Sequence, residues 1–274
     1  MFNSEDGNVR SYAVAGSFDD CHRLTKEAFA DVELRQRVRL TSANSVNIGR
    51  LLPQMVYYFH AVAQVVQMAA PADIVVCTPS GNFGNLTAGL FAKRAGLPIA
   101  RFVAATNVND VVPEYLECGT FAPRASVQTI ANAMDVGNPS NFERMLWLYG
   151  DDLASMRHDL IGTRYRDDDV RSTIKRVFEE RGYLLDPHSA IAYMGLKEHL
   201  GTRRGGEPSA RRHTSARVGV FLATAHPAKF AEIVEPIIGL PVVRPESLAQ
   251  ALAEPRHILK IAATIEAVRR IVDL

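Results

Sequence analysis

The sequence predicts an α/β fold in three layers, a mostly parallel sheet flanked by helices, and three observations carry that prediction. A strand over 74–78, a glycine-bracketed loop, a helical stretch over 86–95 and a strand over 99–105 succeed one another with short connections, the pattern of a right-handed βαβ crossover. A further apolar run, 218–223, feeds a second helix over 228–238 through the corner Thr224-Ala225-His226-Pro227-Ala228-Lys229-Phe230. With 274 residues, 47% of them hydrophobic, the chain is long enough to bury a substantial core.

In chain order, residues 8–16 read as a strand with Val9, Tyr12 and Val14 apolar, although no partner for it is evident downstream. Residues 17–38 read as one helix, with Ser17 as N-cap, Asp20 at the capping-box offset and Leu24, Ala28, Val32 and Leu34 as its apolar stripe. A second helix is expected over 48–68, where Leu51, Leu52, Met55, Tyr58, Phe59, Val62 and Val66 recur at helical spacing. Pro53 sits in its first turn, where a missing N–H costs little. After the βαβ unit, residues 107–216 read as mostly helical with polar turns, and residues 201–217, rich in glycine, serine and arginine, as a mobile surface loop. The tail over 245–274 reads as further helix interrupted at Pro255.

Charge and cysteine usage narrow the function. A formal net charge of +1 with both signs scattered gives no field to draw in nucleic acid or a membrane surface, so small-molecule chemistry is expected. Cys21, Cys77 and Cys118 are far apart and in no ligand-like spacing, which argues against a disulfide framework or a structural metal site and fits a reducing cytoplasm. No apolar run approaches the roughly 18 residues of a membrane span.

The loop Pro79-Ser80-Gly81-Asn82-Phe83-Gly84-Asn85-Leu86 is the strongest candidate site. Its glycines allow close backbone approach, and the helix that follows aims unpaired N–H groups and the positive end of its dipole at the loop, a pattern that binds a monophosphate; a tight turn without a ligand is the alternative. It is neither a P-loop nor a dinucleotide fingerprint, since the Lys-Ser/Thr pair and the glycine spacing are wrong. Thr224, at a strand end, faces the crevice where ligands collect or else caps the next helix; His226 beside it is a general base or, more commonly at such a corner, structural. Ser42, Asn44, Ser45, Asn47 and Arg50 cluster about a helix start and suit a phosphate or carboxylate, with N-capping as the alternative for Ser45 or Asn47. Asn107, Asn109 and Asp110 form a polar turn after a strand.

The segments TSANSVNIGRLLPQMVYYFHAVAQ (41–64), PSGNFGNLTAGLFAKRAGLPIARFVAATNVNDVVPEYL (79–116), NAMDVGNPSNFER (132–144) and ATAHPAKFAEIVE (223–235) together resemble threonine synthase of the bacterial and fungal type. That family consists of pyridoxal 5′-phosphate enzymes of fold type II, related to the tryptophan synthase β chain, which convert O-phosphohomoserine and water to threonine and phosphate. The resemblance implies that Gly81, Asn82, Phe83, Gly84 and Asn85 cradle the cofactor phosphate and that Thr224 hydrogen-bonds the pyridine nitrogen. Ser42, Asn44, Asn47 and Arg50 would grip phosphohomoserine. It also implies a domain boundary, with 1–70 a remnant of the small amino-terminal domain and 71–274 the large cofactor-phosphate domain.

In the family a lysine of a Phe-Lys-Asp motif holds the cofactor covalently and shuttles protons. Lys26, Lys93, Lys175, Lys197, Lys229 and Lys260 are the six lysines here, and none stands in that motif. No residue is therefore assigned as the catalytic lysine, and the resemblance implies a chain cut at its amino end that is inactive alone. An amino-terminal fragment is one expected partner, and self-association through exposed sheet edge is another. A binder of pyridoxal phosphate or another phosphate ligand, without catalysis, is the alternative.

Overall fold

A computed structural model of the chain describes residues 10–45, 47–68, 72–201, 216–253 and 258–272. Most of the expected loop at 201–217 lies outside the described residues. The elements run β1 (Ser11–Ala15), α1 (Phe18–Ala30), α2 (Val32–Arg37), α3 (Leu52–Met68), β2 (Ala72–Pro79), α4 (Gly84–Arg94), β3 (Arg101–Thr106), α5 (Val111–Cys118), α6 (Phe142–Tyr149) and α7 (Leu153–Asp159). They continue with β4 (Leu160–Arg164), α8 (Asp167–Arg181), α9 (Pro187–Gly201), β5 (Ala216–Phe221), α10 (Ala231–Ile238), α11 (Glu246–Ala253), β6 (Ile258–Ala262) and α12 (Ile265–Val272).

The chain sorts into two compact units, Asn44–Val242 and a discontinuous one made of Met1–Ala43 with Val243–Leu274. The larger unit holds a four-stranded parallel sheet in the order β4-β3-β2-β5. Its central strands are buried along nearly their whole length, which is why residues 74–77 and 102–105 are continuous apolar runs rather than alternating ones.

Helices cover both faces, and two glycines let them approach. On one face α3 and α4 pack together; a Cβ on Gly89 would stand 2.7 Å from the Phe102 ring and 2.8 Å from that of Tyr58. On the other, α9 crosses β2 and β3, and a Cβ on Gly195 would meet Ala105 and Thr163 at 3.0 Å and Cys77 Sγ at 3.1 Å. Leu51, Tyr58, Val62, Leu86, Leu90, Phe102 and Phe142 form the heart of the first face's core. Only part of the expected α3 stripe points there, since Leu52, Phe59 and Val66 are exposed.

The smaller unit corrects three expectations. The helix expected over 17–38 breaks at Asp31, which ends α1 in an extended conformation and whose side chain accepts the Leu34 N–H at 3.1 Å as the N-cap of α2. The Ser17–Asp20 capping box does form. The tail is not only helical, because residues 258–262 are a strand, and that strand is the partner β1 lacked: Ser11 pairs with Ile258 through to Ala15 with Ala262, in parallel. Within this unit Arg269 Nε donates to Asp31 Oδ2 at 2.7 Å, and Arg23 donates to the Ala263 carbonyl at 2.9 Å. Among the described residues no helix is long and apolar enough to cross a membrane.

Candidate functional site

All four strands of the larger sheet are parallel, so their carboxyl ends share one edge, the edge at which ligands collect in open α/β sheets. The loop leaves β2 there. Ser80 extends the ladder by one residue, its N–H reaching the Ala105 carbonyl at 2.8 Å, and its hydroxyl lies 3.0 Å from that of Thr78. The chain then turns through Phe83, a buried residue in the left-handed region (φ 59°, ψ 14°), directly into α4. A non-glycine held at positive φ is strained and persists only where packing fixes it.

The loop's side chains hold its shape rather than face a ligand. Asn82 donates to Ser45 Oγ at 2.7 Å and accepts from the Ser140 N–H at 2.7 Å, while its carbonyl accepts from Asn141 Nδ2 at 2.9 Å. Asn85 donates to the Pro79 carbonyl at 3.0 Å and accepts the Leu86 N–H at 2.7 Å; the Asn85 carbonyl takes the buried Tyr58 hydroxyl at 2.7 Å. No side chain caps α4. The N–H groups of Gly81, Asn82, Phe83 and Gly84 meet no acceptor among the described residues. A run of backbone donors at a helix N-terminus suits a phosphate, whose charge the helix dipole also favours, so the donor set fits a phosphorylated cofactor.

The two glycines are needed for contact. A Cβ on Gly81 would stand 2.6 Å from Met134 Cα, and one on Gly84 would stand 3.0 Å from Ser45 Cβ. The segment about Ser45 therefore lies on the loop. Arg144 fastens it further by donating to the Ser45 carbonyl at 3.0 Å.

That contact brings Asn44, Asn47 and Arg50 to the neighbourhood of the loop, all in the same compact unit. Asn44 accepts from the Ser45 hydroxyl at 3.1 Å, and Asn47 accepts the Gly49 N–H at 2.9 Å as the cap of a short 3₁₀ turn, so capping falls to Asn47 and Ser45 braces the loop instead. Arg50 is exposed. Ser42 belongs to the other unit.

The strand before Thr224 ends at Phe221 rather than at residue 223. Leu222 still donates to the Cys77 carbonyl at 3.0 Å, so Ala223 and Thr224 leave the sheet beside the loop's own exit from β2. Thr224 is exposed and does not cap the next turn, because His226 Nδ1 accepts the Ala228 N–H at 3.1 Å and is the N-cap. His226 is thus structural, with the nitrogen a base would use already engaged.

Asn107 and Asn109 build a buried knot. Asn107 Nδ2 donates to Asp135 at 2.8 Å and to Thr129 at 2.9 Å, and Asn109 Nδ2 donates to the Val127 carbonyl at 2.9 Å. Burial pushes the Asp135 carboxyl up despite the hydrogen bonds from Thr129 and Asn107. Asp110 pairs instead with Arg124 and, at 3.0 Å, with Arg164.

Residues 107–216 also contain β4, whose Gly162 allows the Pro113 backbone to within 2.6 Å of where its Cβ would stand. Sequence reasoning passed over Asp186, His188 and Ser189 as well. They form a buried cluster at the start of α9, signalled by an aspartate directly before a proline at a helix start. A cleft of about 700 Å³ lined by Tyr165, Arg176 and Lys197 opens elsewhere, and no loop residue lines it.

Two family models match the chain: pyridoxal-phosphate dependent enzyme over residues 4–210, and threonine synthase, C-terminal, over residues 206–272. The threonine synthase of Haemophilus influenzae is 47% identical over 251 residues, covering 90% of this chain and 55% of that protein. That of Escherichia coli is 42% identical over 271 residues, covering 99% of this chain and 60% of that protein, and its crystal structure superposes with a TM-score of 0.88 over the same shares. The structure of a threonine synthase from Brucella melitensis, described as bound to pyridoxal phosphate, gives a TM-score of 0.80 at 33% identity over 98% of this chain and 60% of that one. The chain thus spans 55% to 60% of the length of these relatives.

Proposed function

Because the chain belongs to the threonine synthase family of pyridoxal-phosphate-dependent enzymes, we propose that it forms the phosphate-holding part of a site for pyridoxal 5′-phosphate, in the conversion of O-phosphohomoserine and water to L-threonine and phosphate. The observation that carries this reading is the row of unpaired N–H groups from Gly81 to Gly84 at the uncapped start of α4. Gly81, Asn82, Phe83, Gly84 and Asn85 hold the phosphate through backbone rather than side chains. Thr224, leaving the sheet beside the loop, presents a hydroxyl to the pyridine nitrogen; unlike a carboxylate it does not force that nitrogen to be protonated. Asn44, Asn47 and Arg50 receive the substrate's phosphate, with Arg50 supplying the charge. When bound, the cofactor supplies the electron sink that acidifies the substrate's Cα–H.

The covalent lysine comes from outside these residues, on an amino-terminal segment that completes the site, and the setting is cytoplasmic. Lys93 is already engaged by Asp159 at 2.8 Å and the Ala100 carbonyl at 3.0 Å, and Lys175 lies beside Glu179. The exposed apolar side chains of α3 and the edges of β4 and β5, which pair with no further strand among the described residues, support a partner, whether that segment or a second copy of the chain.

The chain is expected to bind pyridoxal phosphate in a fluorescence titration and to yield it to competing inorganic phosphate; no binding overturns the assignment of the loop. A second reading, binding without catalysis, draws on the absence of the Phe-Lys-Asp motif among the six lysines. Phosphate release from phosphohomoserine by the chain mixed with a separately made amino-terminal segment decides for the enzyme, and an inert mixture that binds cofactor decides for the binder.

A further inference from the structure

The sequence Asp186-Pro187-His188-Ser189 starts α9 by saturating one carboxylate. Asp186 Oδ1 accepts the His188 N–H at 2.9 Å and lies 2.8 Å from His188 Nδ1; Oδ2 accepts the Ser189 N–H at 3.4 Å and the Ser189 hydroxyl. The Asp186 N–H in turn reaches Ser189 Oγ at 3.0 Å, and Pro187 needs no partner at all. The Asp186 side chain is fully buried and that of His188 nearly so.

The far nitrogen of the ring also has a partner. His188 Nε2 accepts the Ala133 N–H at 3.3 Å. Ala133 lies in a 3₁₀ turn, Asn132–Met134, in which Met134 donates to Ala131 and Asp135 to Asn132, and Ala133 turns to the imidazole instead. Only one form of the ring meets both demands, a neutral imidazole with its proton on Nδ1 facing the carboxylate and its lone pair on Nε2 facing the amide. The Ser189 hydroxyl bonds the carboxylate rather than the ring, so the cluster is not a nucleophile–base relay.

What the ring holds matters because of its neighbours. The Ala133–Met134 backbone lies against Gly81, 2.6 Å and 3.1 Å from the place of a Cβ there. On its other side the His188 ring packs against that of Phe230, 4.8 Å between centroids, in the corner that also carries Thr224. The two ends of the proposed cofactor site, phosphate loop and pyridine corner, thus meet at one side chain.

We infer that His188 is a positioning residue for the cofactor site, holding the Ala133–Met134 backbone against Gly81 and seating Phe230 beneath the Thr224 corner, with Asp186 fixing its tautomer. This rests on the loop being the phosphate site. His188 touches no reacting group; it sets the height of the floor on which Gly81 rests and so the aim of the loop N–H groups.

The test compares His188→Leu, which removes both hydrogen bonds, with His188→Gln, whose amide oxygen is placed to accept from Ala133, in the full 274-residue chain. Titration with pyridoxal phosphate is expected to show affinity weakened roughly tenfold or more by leucine, in proportion to a half-buried donor left without its partner, and largely restored by glutamine. Amide exchange is expected to quicken at Ala133, Met134 and residues 81–84 in the leucine variant while β3 stays protected. Wild-type affinity together with wild-type exchange at residues 81–84 in His188→Leu overturns the inference.

If the wild-type chain binds no cofactor, the loop assignment fails, and the exchange pattern still decides whether His188 governs residues 81–84. If the leucine variant does not fold, ring ¹⁵N shifts of the wild type decide: the Nδ1–H tautomer is expected, and the Nε2–H tautomer overturns the arrangement.

Discussion

Replacing Gly81 by alanine tests the loop and its floor together. The new Cβ would lie 2.6 Å from Met134 Cα, 3.1 Å from the Ala133 carbonyl oxygen and 3.2 Å from the Met134 carbonyl carbon, all backbone atoms that no rotamer change can clear. Carbon atoms pack at about 3.5–4.0 Å, so loop and turn must part by about 1 Å. Overpacking of this kind costs about 1–3 kcal/mol, which for a unit of this size lowers the melting temperature by about 2–12 °C. The Ala133–His188 bond, 3.3 Å long, lies in the path of that movement. If two loop N–H groups lose a charged phosphate oxygen, at about 1.5–3 kcal/mol each, affinity for pyridoxal phosphate falls at least about a hundredfold. The assay is a thermal melt followed by a cofactor titration, with Gly201→Ala as control, since a Cβ there meets nothing within 4 Å. A Gly81→Ala chain that melts and binds like the wild type would refute the reasoning.

Three further outcomes are expected. Asn82→Ala removes the acceptor of the Ser140 N–H and should cost about 1–3 kcal/mol in a denaturant titration; an unchanged midpoint would show that the loop does not depend on that clasp. Burial alone would raise the Asp186 carboxyl, but hydrogen bonds from His188 and Ser189 outweigh it and hold it below the ordinary carboxylate range. A depressed folded value means stability fully present above the unfolded value of about 3.9 and lost as pH falls below it, so Asp186→Asn should flatten the acid limb of the stability–pH curve; parallel acid limbs would contradict this. Exposed Cys118 should react first with a thiol reagent. Cys21 should follow more slowly, its thiol raised by partial burial and then by the Asp20 charge, while Cys77, buried and pushed far up by desolvation, should wait for unfolding; simultaneous release of all three in the native state would count against the packing under α9.

The sequence disclosed what local chemistry writes plainly. Residues 74–105 read correctly because central parallel strands are mostly apolar and the Gly96-Leu97-Pro98 break marks the return to the sheet. The capping box at Ser17 and the loop glycines were legible for the same reason. The strands over 160–164 and 258–262 were not. The first, Leu-Ile-Gly-Thr-Arg, is a short edge strand with a glycine required by Pro113, and the second, Ile-Leu-Lys-Ile-Ala, is mostly exposed despite its apolar residues, so neither stands out as a buried strand. In the site, the loop was visible, but its dependence on Ser45, Ser140 and Met134 was not, since those residues stand 37 to 58 positions from Asn82 or meet Gly81 only through the absence of a side chain. His188 went unread because its partners are one neighbour in sequence and one amide 55 positions away.

The pairing of β1 with β6 bears on the order in which the molecule is finished. Residues 11–15 emerge from a ribosome about 250 residues before 258–262, an interval of roughly 12–50 s at ordinary elongation rates. In that time the whole unit carrying the loop can be made and folded, while β1 has no other strand partner among the described residues. A chain broken before residue 258 would therefore carry the phosphate loop together with a β1 that lacks its partner, an exposed edge of the kind that chaperones and proteases recognise.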